Sequence, residues 1–189
     1  MKRATVGQGS AGRAIVKATS LTEWRDVERW VLLGEAGALT GPHRDSSALE
    51  TFINSNEGEF GFAWLDRPSE EQLQACAKNP NGFRGGNWCF CVLRPGLSVW
   101  FATGTVHVVF RLRGDGRQTM SIGGHMLRCS AITQWANIMA IQLSNPIATN
   151  EKITQTAPKY LQAVVGLITE AATKGRLEEF SGQENVTEF

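Results

Sequence analysis

Short apolar runs dominate the middle of the chain, and their period is that of strands. "RWVLLGEAGAL" reads as a strand followed by a Gly-rich turn. "HRDSSALETFIN" and "EFGFAWL" read as strands parted by the turn signal "SNEG". Beyond Asn87, "NWCFCVL", "LSVWFA", "GTVHVVFRLR" and "RQTMSIGGHML" are rich in Val, Phe, Trp and Thr and are separated by "RPG", "TG" and "RGDG". Strands at this spacing predict a sandwich or barrel. Two stretches have helix signals instead. "SLTEWRDVERW" opens on Ser20 with Glu23 three residues on, a capping box; "RPSEEQLQACAKNPNG" is capped by Ser69 and stopped at Asn79-Pro80. After Ser130 the period turns helical. "SAITQWANIMAIQLSNP" ends at Asn145-Pro146, and "APKYLQAVVGLITEAATKG" has Pro158 in its first turn and Gly175 at its end. The pattern predicts a β core over about residues 13–128 with helices after it. As segments, 1–19 form a flexible start or edge strand ("RAIVKA"), 20–146 the β domain, 147–175 a helical cap, and 176–189 a polar tail that frays.

Composition narrows the function classes. The 189 residues make one domain with room for a core, 42% hydrophobic and 20% charged. A net charge of +1 gives no field for nucleic acid or an anionic membrane, and no apolar run has the length of a membrane span. Residues 1–22 carry four bases and no acid, faintly like a transit peptide, but without the apolar stretch of a secretory signal. Four cysteines (Cys76, Cys89, Cys91, Cys129) without a C-x-x-C pair argue against a disulfide framework. Cys89 and Cys91 read as buried thiols, and the compartment as reducing and intracellular, nuclear or cytoplasmic.

The chemistry concentrates on histidine. Only three are present, and His43 stands two residues before Asp45 in "GPHRDSS". On a strand, residues two apart share a face, so His43 and Asp45 project together and Arg44 points away. His107 in "TGTVHVVFRL" is the candidate third ligand. It shares a face with Val109 and Arg111. Val106, Val108, Phe110 and Leu112 form the other, wholly apolar face, which is expected in the core between sheets, with the His107 face lining the barrel mouth. Two histidines and a carboxylate with open positions suit non-haem Fe(II), and zinc fits the same ligands.

Three stretches, "RWVLLGEAGALTGPHRDSSALETF", "LRPGLSVWFATGTVHVVF" and "SIGGHMLRCS", resemble the JmjC domain, a branch of the cupin-like double-stranded β-helix. The resemblance covers about residues 24–146. It implies a mainly β jelly-roll barrel with flanking helices and a C-terminal helical cap. It also implies an Fe(II)- and 2-oxoglutarate-dependent oxygenase, a hydroxylase or N-demethylase acting on a protein or small-molecule substrate that the sequence does not identify. His43, Asp45 and His107 match the family's metal ligands. Thr40 matches a position that hydrogen-bonds the distal carboxylate of 2-oxoglutarate. His125, in "GGHML", matches a position near the pocket and serves equally well as a structural histidine.

The chain departs from the family at one place. The strand after the metal pair usually reads Gly-x-Lys, its Lys pairing with that distal carboxylate; here it reads Gly58-Glu59-Phe60. Related oxygenases outside the JmjC branch often use an Arg about ten residues after the second His, which nominates Arg117; Arg111, on the His107 face, is a second candidate. The sequence leaves three functions open: the oxygenase, a catalytically inactive metal-binding or interaction module, and a zinc or manganese enzyme working through metal-bound water.

Overall fold

The computed structural model describes residues 29–111, 118–145, 149 and 157–180. Eight strands run in the order β1 (Trp30–Gly34), β2 (Leu39–His43), β3 (Glu50–Glu57), β4 (Phe60–Asp66), β5 (Asn87–Leu93), β6 (Ser98–Phe101), β7 (His107–Arg111) and β8 (Thr119–Met126). They form two antiparallel four-stranded sheets ordered β1-β8-β3-β6 and β2-β7-β4-β5. Successive strands mostly change sheet, so the apolar residues of one sheet face those of the other. This is the jelly-roll, or double-stranded β-helix, of the cupin fold, mainly β with flanking helices. Ile53, Phe60, Phe62, Leu93, Phe101 and Val109 fill the space between the sheets.

Register sorts the inward side chains of the second sheet into levels, because paired antiparallel residues share a face. The first level runs His43, His107, Trp64, Cys89; the second Thr40, Val109, Phe62, Cys91; the third, from β7 outward, Arg111, Phe60, Leu93. From the first sheet, Thr51 pairs with both Phe101 and His125, Trp30 with Gly123, Leu32 with Ser121, and Gly34 with Thr119.

This order reverses one expectation. His107, Val109 and Arg111 are the buried side of β7, while Val108 and Phe110 are half-buried on the outer surface. Alternation reveals two faces but not which one is inside. Here Val109 is aligned with Phe62 in the core, and the outer pair borders a groove of about 410 Å³ with Leu39 and Phe90. Leu112 lies outside the described residues, as do the helix expected at Ser20, the strand "RAIVKA" and Arg117. The cysteines are free; Cys76 is buried, but Cys89 and Cys91 are only half-buried because β5 is an edge strand.

Helix α1 (Glu70–Lys78) starts with the expected Ser69 cap, closed into a box by Gln72. It packs Cys76 onto Leu65 and Val106, on the outside of the second sheet. Helices α2 (Ile132–Ser144) and α3 (Ala157–Thr173) form a second core around Trp135, Met139, Tyr160, Val164 and Ile168. The tail does not fray at once after Arg176. A 3-10 turn at Leu177–Phe180 returns buried Phe180 to that core, since one large apolar side chain is enough to dock a short segment. Among the described residues no helix is long and apolar enough to cross a membrane.

Candidate metal centre

The stretch after His43 is not a continuous strand. β2 ends at His43, Ser46–Ala48 form a 3-10 turn, and β3 begins at Glu50. Asp45 therefore precedes a turn rather than lying in a ladder, yet its carboxylate still joins His43, with Arg44 buried on the opposite side. The turn is held in an unusual shape. Ser47 and Ala48 have φ of 60° and 52°, a region non-glycine residues rarely occupy. Both are buried, and the helical cap together with the β6–β7 loop holds the segment around them. Trp135 Nε1 donates to Ser47 O at 2.9 Å, Gln142 Nε2 donates to Asp45 O at 2.8 Å, and the Thr103 hydroxyl donates to Ala48 O. The cap thus positions Asp45.

His43, Asp45 and His107 each offer a ligand atom, all within 4.8 Å of one another. Both histidine Nε2 atoms lie 3.6 Å from Asp45 Oδ1. The other ring nitrogens explain the orientation. His43 Nδ1 lies 2.7 Å from Gly41 O and His107 Nδ1 3.1 Å from Thr105 O. A carbonyl only accepts, so each Nδ1 carries the proton, and in the neutral ring each Nε2 presents a bare lone pair. Two lone pairs and a carboxylate oxygen therefore converge at separations too long for hydrogen bonds. Such a set of acceptors is complementary to a cation, and orientation of Nε2 through an Nδ1–H···O=C bond is the usual support of a metal-bound imidazole.

The electrostatics agree with the geometry. Burial pushes the His107 imidazole down to about 4, against the opposing pull of Asp45 and with a further push from His43, so the ring is neutral at pH 7. Burial would raise the Asp45 carboxyl. Its contact with His43, the nearby His107 and His125, and the Thr51 hydroxyl together outweigh that and hold it well below the usual carboxylate range. His107 is walled by aromatic rings: Phe62 stacks on it at 5.5 Å, with Phe101 at 4.5 Å and His43 at 4.1 Å.

His125 reaches the centre through an intermediary. Trp30 Nε1 donates to His125 Nε2 at 3.1 Å, which places the ring proton on Nδ1; this meets the Thr51 hydroxyl at 2.8 Å, and Thr51 donates to Asp45 Oδ2. The relay holds the second carboxylate oxygen and leaves Oδ1 to face the histidines. Gly123 is required for it, because a Cβ there would sit 2.1 Å from the Trp30 ring. Thr51 and Trp30 carry no local sequence signal. They are identified only by strand pairing, as are Trp135 and Gln142 by helix docking. Thr51→Val preserves the shape and breaks the relay. It is expected to weaken Zn(II) binding about tenfold in competition with a chromophoric chelator; an unchanged affinity would reduce Thr51 to packing.

Of the other sequence candidates, Thr40 is half-buried one level from the histidines, opposite Val109. Phe60 is fully buried two levels away, and its cross-strand partner is Arg111.

No family model and no curated protein sequence matches the chain. Among solved structures it is similar to the Drosophila melanogaster CENP-C cupin domain, with 11% identity and a TM-score of 0.39 over 52% of this chain and 60% of that one. It is also similar to iron(II) HppE in complex with substrate (18%, 0.35, 52% and 41%) and to hydroquinone 1,2-dioxygenase from Sphingomonas sp. TTNP3 with 4-hydroxybenzoate bound (14%, 0.36, 53% and 60%). The chain spans less than two thirds of the length of each. These are likenesses of overall architecture; what the site can do rests on its own geometry.

Proposed function

We propose that the protein is a JmjC-type oxygenase dependent on Fe(II) and 2-oxoglutarate, hydroxylating or N-demethylating a protein or small-molecule substrate. The observation that carries this reading is the convergence of His43 Nε2, His107 Nε2 and Asp45 Oδ1, three acceptors with no donor among them. Three protein ligands on one side leave the other coordination positions free, as oxygenase chemistry needs. When bound, iron supplies the chelation of the 2-oxo acid and the activation of dioxygen. The chain supplies the rest. Gly41 and Thr105 carbonyls fix the imidazoles, Thr51 and His125 fix the carboxylate, and Phe62 and Phe101 keep water from the His107 ring. Half-buried Trp64 and Cys89, on the His107 level, provide a wall for a substrate.

Phe60 favours a second reading, a metal-binding or interaction module without turnover, since a phenyl ring cannot pair with the distal carboxylate. The test is anaerobic addition of 2-oxoglutarate to the Fe(II)-loaded protein, followed by admission of oxygen. The oxygenase should show the charge-transfer absorption of the chelate and then release succinate. Iron uptake with neither signal would establish the second reading.

A further inference from the structure

Arg44 is a buried cation without an acidic side chain in contact. Its residue exposure is 6%, and its Nε has no hydrogen-bond partner. Among the described residues it forms no ion pair. Its backbone is bridged to Thr149, which holds the residue in place beside the end of β2. Glu70 attracts the guanidinium, but burial has the larger effect and lowers its pKa. The Glu70 carboxylate is itself exposed and accepts from Gln74 Nε2 at 3.1 Å. Buried Glu50 shows the contrast: Arg128 Nε reaches both its oxygens, at 2.8 and 2.9 Å. A guanidinium cannot shed its proton, so burial without such a partner is costly.

Arg44, Leu73 and Ala77 line two cavities, of about 210 and 370 Å³. The larger is also lined by Glu70 and Lys78, whose opposite charges favour no ion of either sign. The smaller lies between α1 and the outer side of the second sheet, and among the described residues no acid lines it. Its apolar walls are Pro42, Leu73, Ala77, Pro80 and Val106. The Cys76 thiol also lines it, and burial raises its pKa, so it stays neutral and supplies no counter-charge. The Asn81 carboxamide closes another side, packed over Gly41, where a Cβ would sit 2.7 Å from Oδ1. One cation in a neutral, mostly apolar cavity matches a single carboxylate on a short apolar body. A phosphate dianion would bring a second buried charge with no partner.

We infer that the smaller cavity is a binding site for a short-chain monocarboxylate, with the carboxylate on the Arg44 guanidinium and the alkyl body against Leu73, Ala77 and Val106. The planar guanidinium fork matches a carboxylate, and burial of the alkyl body adds to the binding. The site is separate from the metal centre. His43 and Asp45 turn their side chains toward His107, whereas Arg44 lies on the opposite side of the same segment, so the occupant takes no part in coordination. The site does not rest on the oxygenase reading.

Isothermal titration of the metal-free and Zn(II)-loaded protein with butyrate, its neutral isostere butyramide, and inorganic phosphate tests this. The wild type should bind butyrate equally in both metal states, and neither of the other two. Arg44→Gln should weaken butyrate binding about tenfold or more. Ala77→Phe keeps the cation and fills the cavity from α1, and it should abolish binding; circular dichroism reads the fold of both variants. His107→Ala should lose Zn(II) and still bind butyrate, so a failed metal reading leaves this result standing. Equal butyrate affinity in Arg44→Gln and wild type, no butyrate binding by the wild type, or binding of phosphate in its place would overturn the inference. So would butyrate binding that needs Zn(II) and disappears in His107→Ala, since the carboxylate would then sit on the metal.

Discussion

Asp45→Asn is expected to reduce affinity for Zn(II) or Co(II) by more than about 100-fold, beyond the range of changes that act only through a ligand's neighbours. The substitution is nearly isosteric. Thr51 can still donate to the side-chain oxygen, and the Ser46–Ala48 turn is still held by Trp135 and Gln142, so the geometry is preserved. What disappears is the negative charge that makes the acceptor set attractive to a divalent cation. The apo variant should stay folded, because the anchors of the turn are backbone carbonyls rather than the carboxylate. Competition titration reads the affinity and circular dichroism the fold. If the Asn variant took up metal as tightly as the wild type, Asp45 would be a hydrogen-bonding residue only, and the oxygenase reading would lose its third ligand.

Much of this centre was legible because strands alternate. The two-residue spacing places His107, Val109 and Arg111 together on β7, and it anticipates His43 and Asp45 on one side with Arg44 on the other, although the chain leaves the strand at His43 and the turn after it completes that placement. The capping box at Ser69 and the stops at Asn79 and Asn145 are local signals, and the helices follow them. What alternation does not carry is which face looks inward, and on β7 the wholly apolar face proves to be the outer one. Nor does local sequence reveal a turn whose left-handed residues are Ser47 and Ala48 rather than glycine. That conformation is imposed by Trp135 and Gln142, 88 and 97 residues away from their respective acceptors. The Thr51–His125–Trp30 relay is hidden for the same reason, since it joins three strands of one sheet.

Phe60 reads differently along the chain and across the sheet. Along the chain, it stands where the resemblance would put a lysine. Read across the sheet, it is the partner of Arg111, whose guanidinium lies over its ring. The sequence names both residues, but only the register shows that a cation remains on that level. Arg117, the candidate from chain spacing, lies outside the described residues.

Acidification of the metal-free protein from pH 7 to pH 4 is expected to cost about 3 kcal/mol of folding stability through His107 alone. The ring's ordinary value of 6.5 is pushed down to about 4 in the folded chain. Between those values the unfolded chain binds a proton that the folded chain does not, so stability falls as pH falls, and the loss is complete below about 4. Asp45 acts further into the acid range. Its carboxyl is held below 3.8, so its contribution is present above that value and lost as pH falls through the lower folded one. Added Zn(II) should raise the unfolding temperature at pH 7.5 and much less at pH 5, because protons compete for the same nitrogens. Urea unfolding across this range measures the slope. In His107→Phe, which retains the aromatic stacking with Phe62 and Phe101, the slope between pH 6.5 and 4 should flatten; if it persists unchanged, the acid sensitivity arises elsewhere and the buried neutral imidazole is not its source.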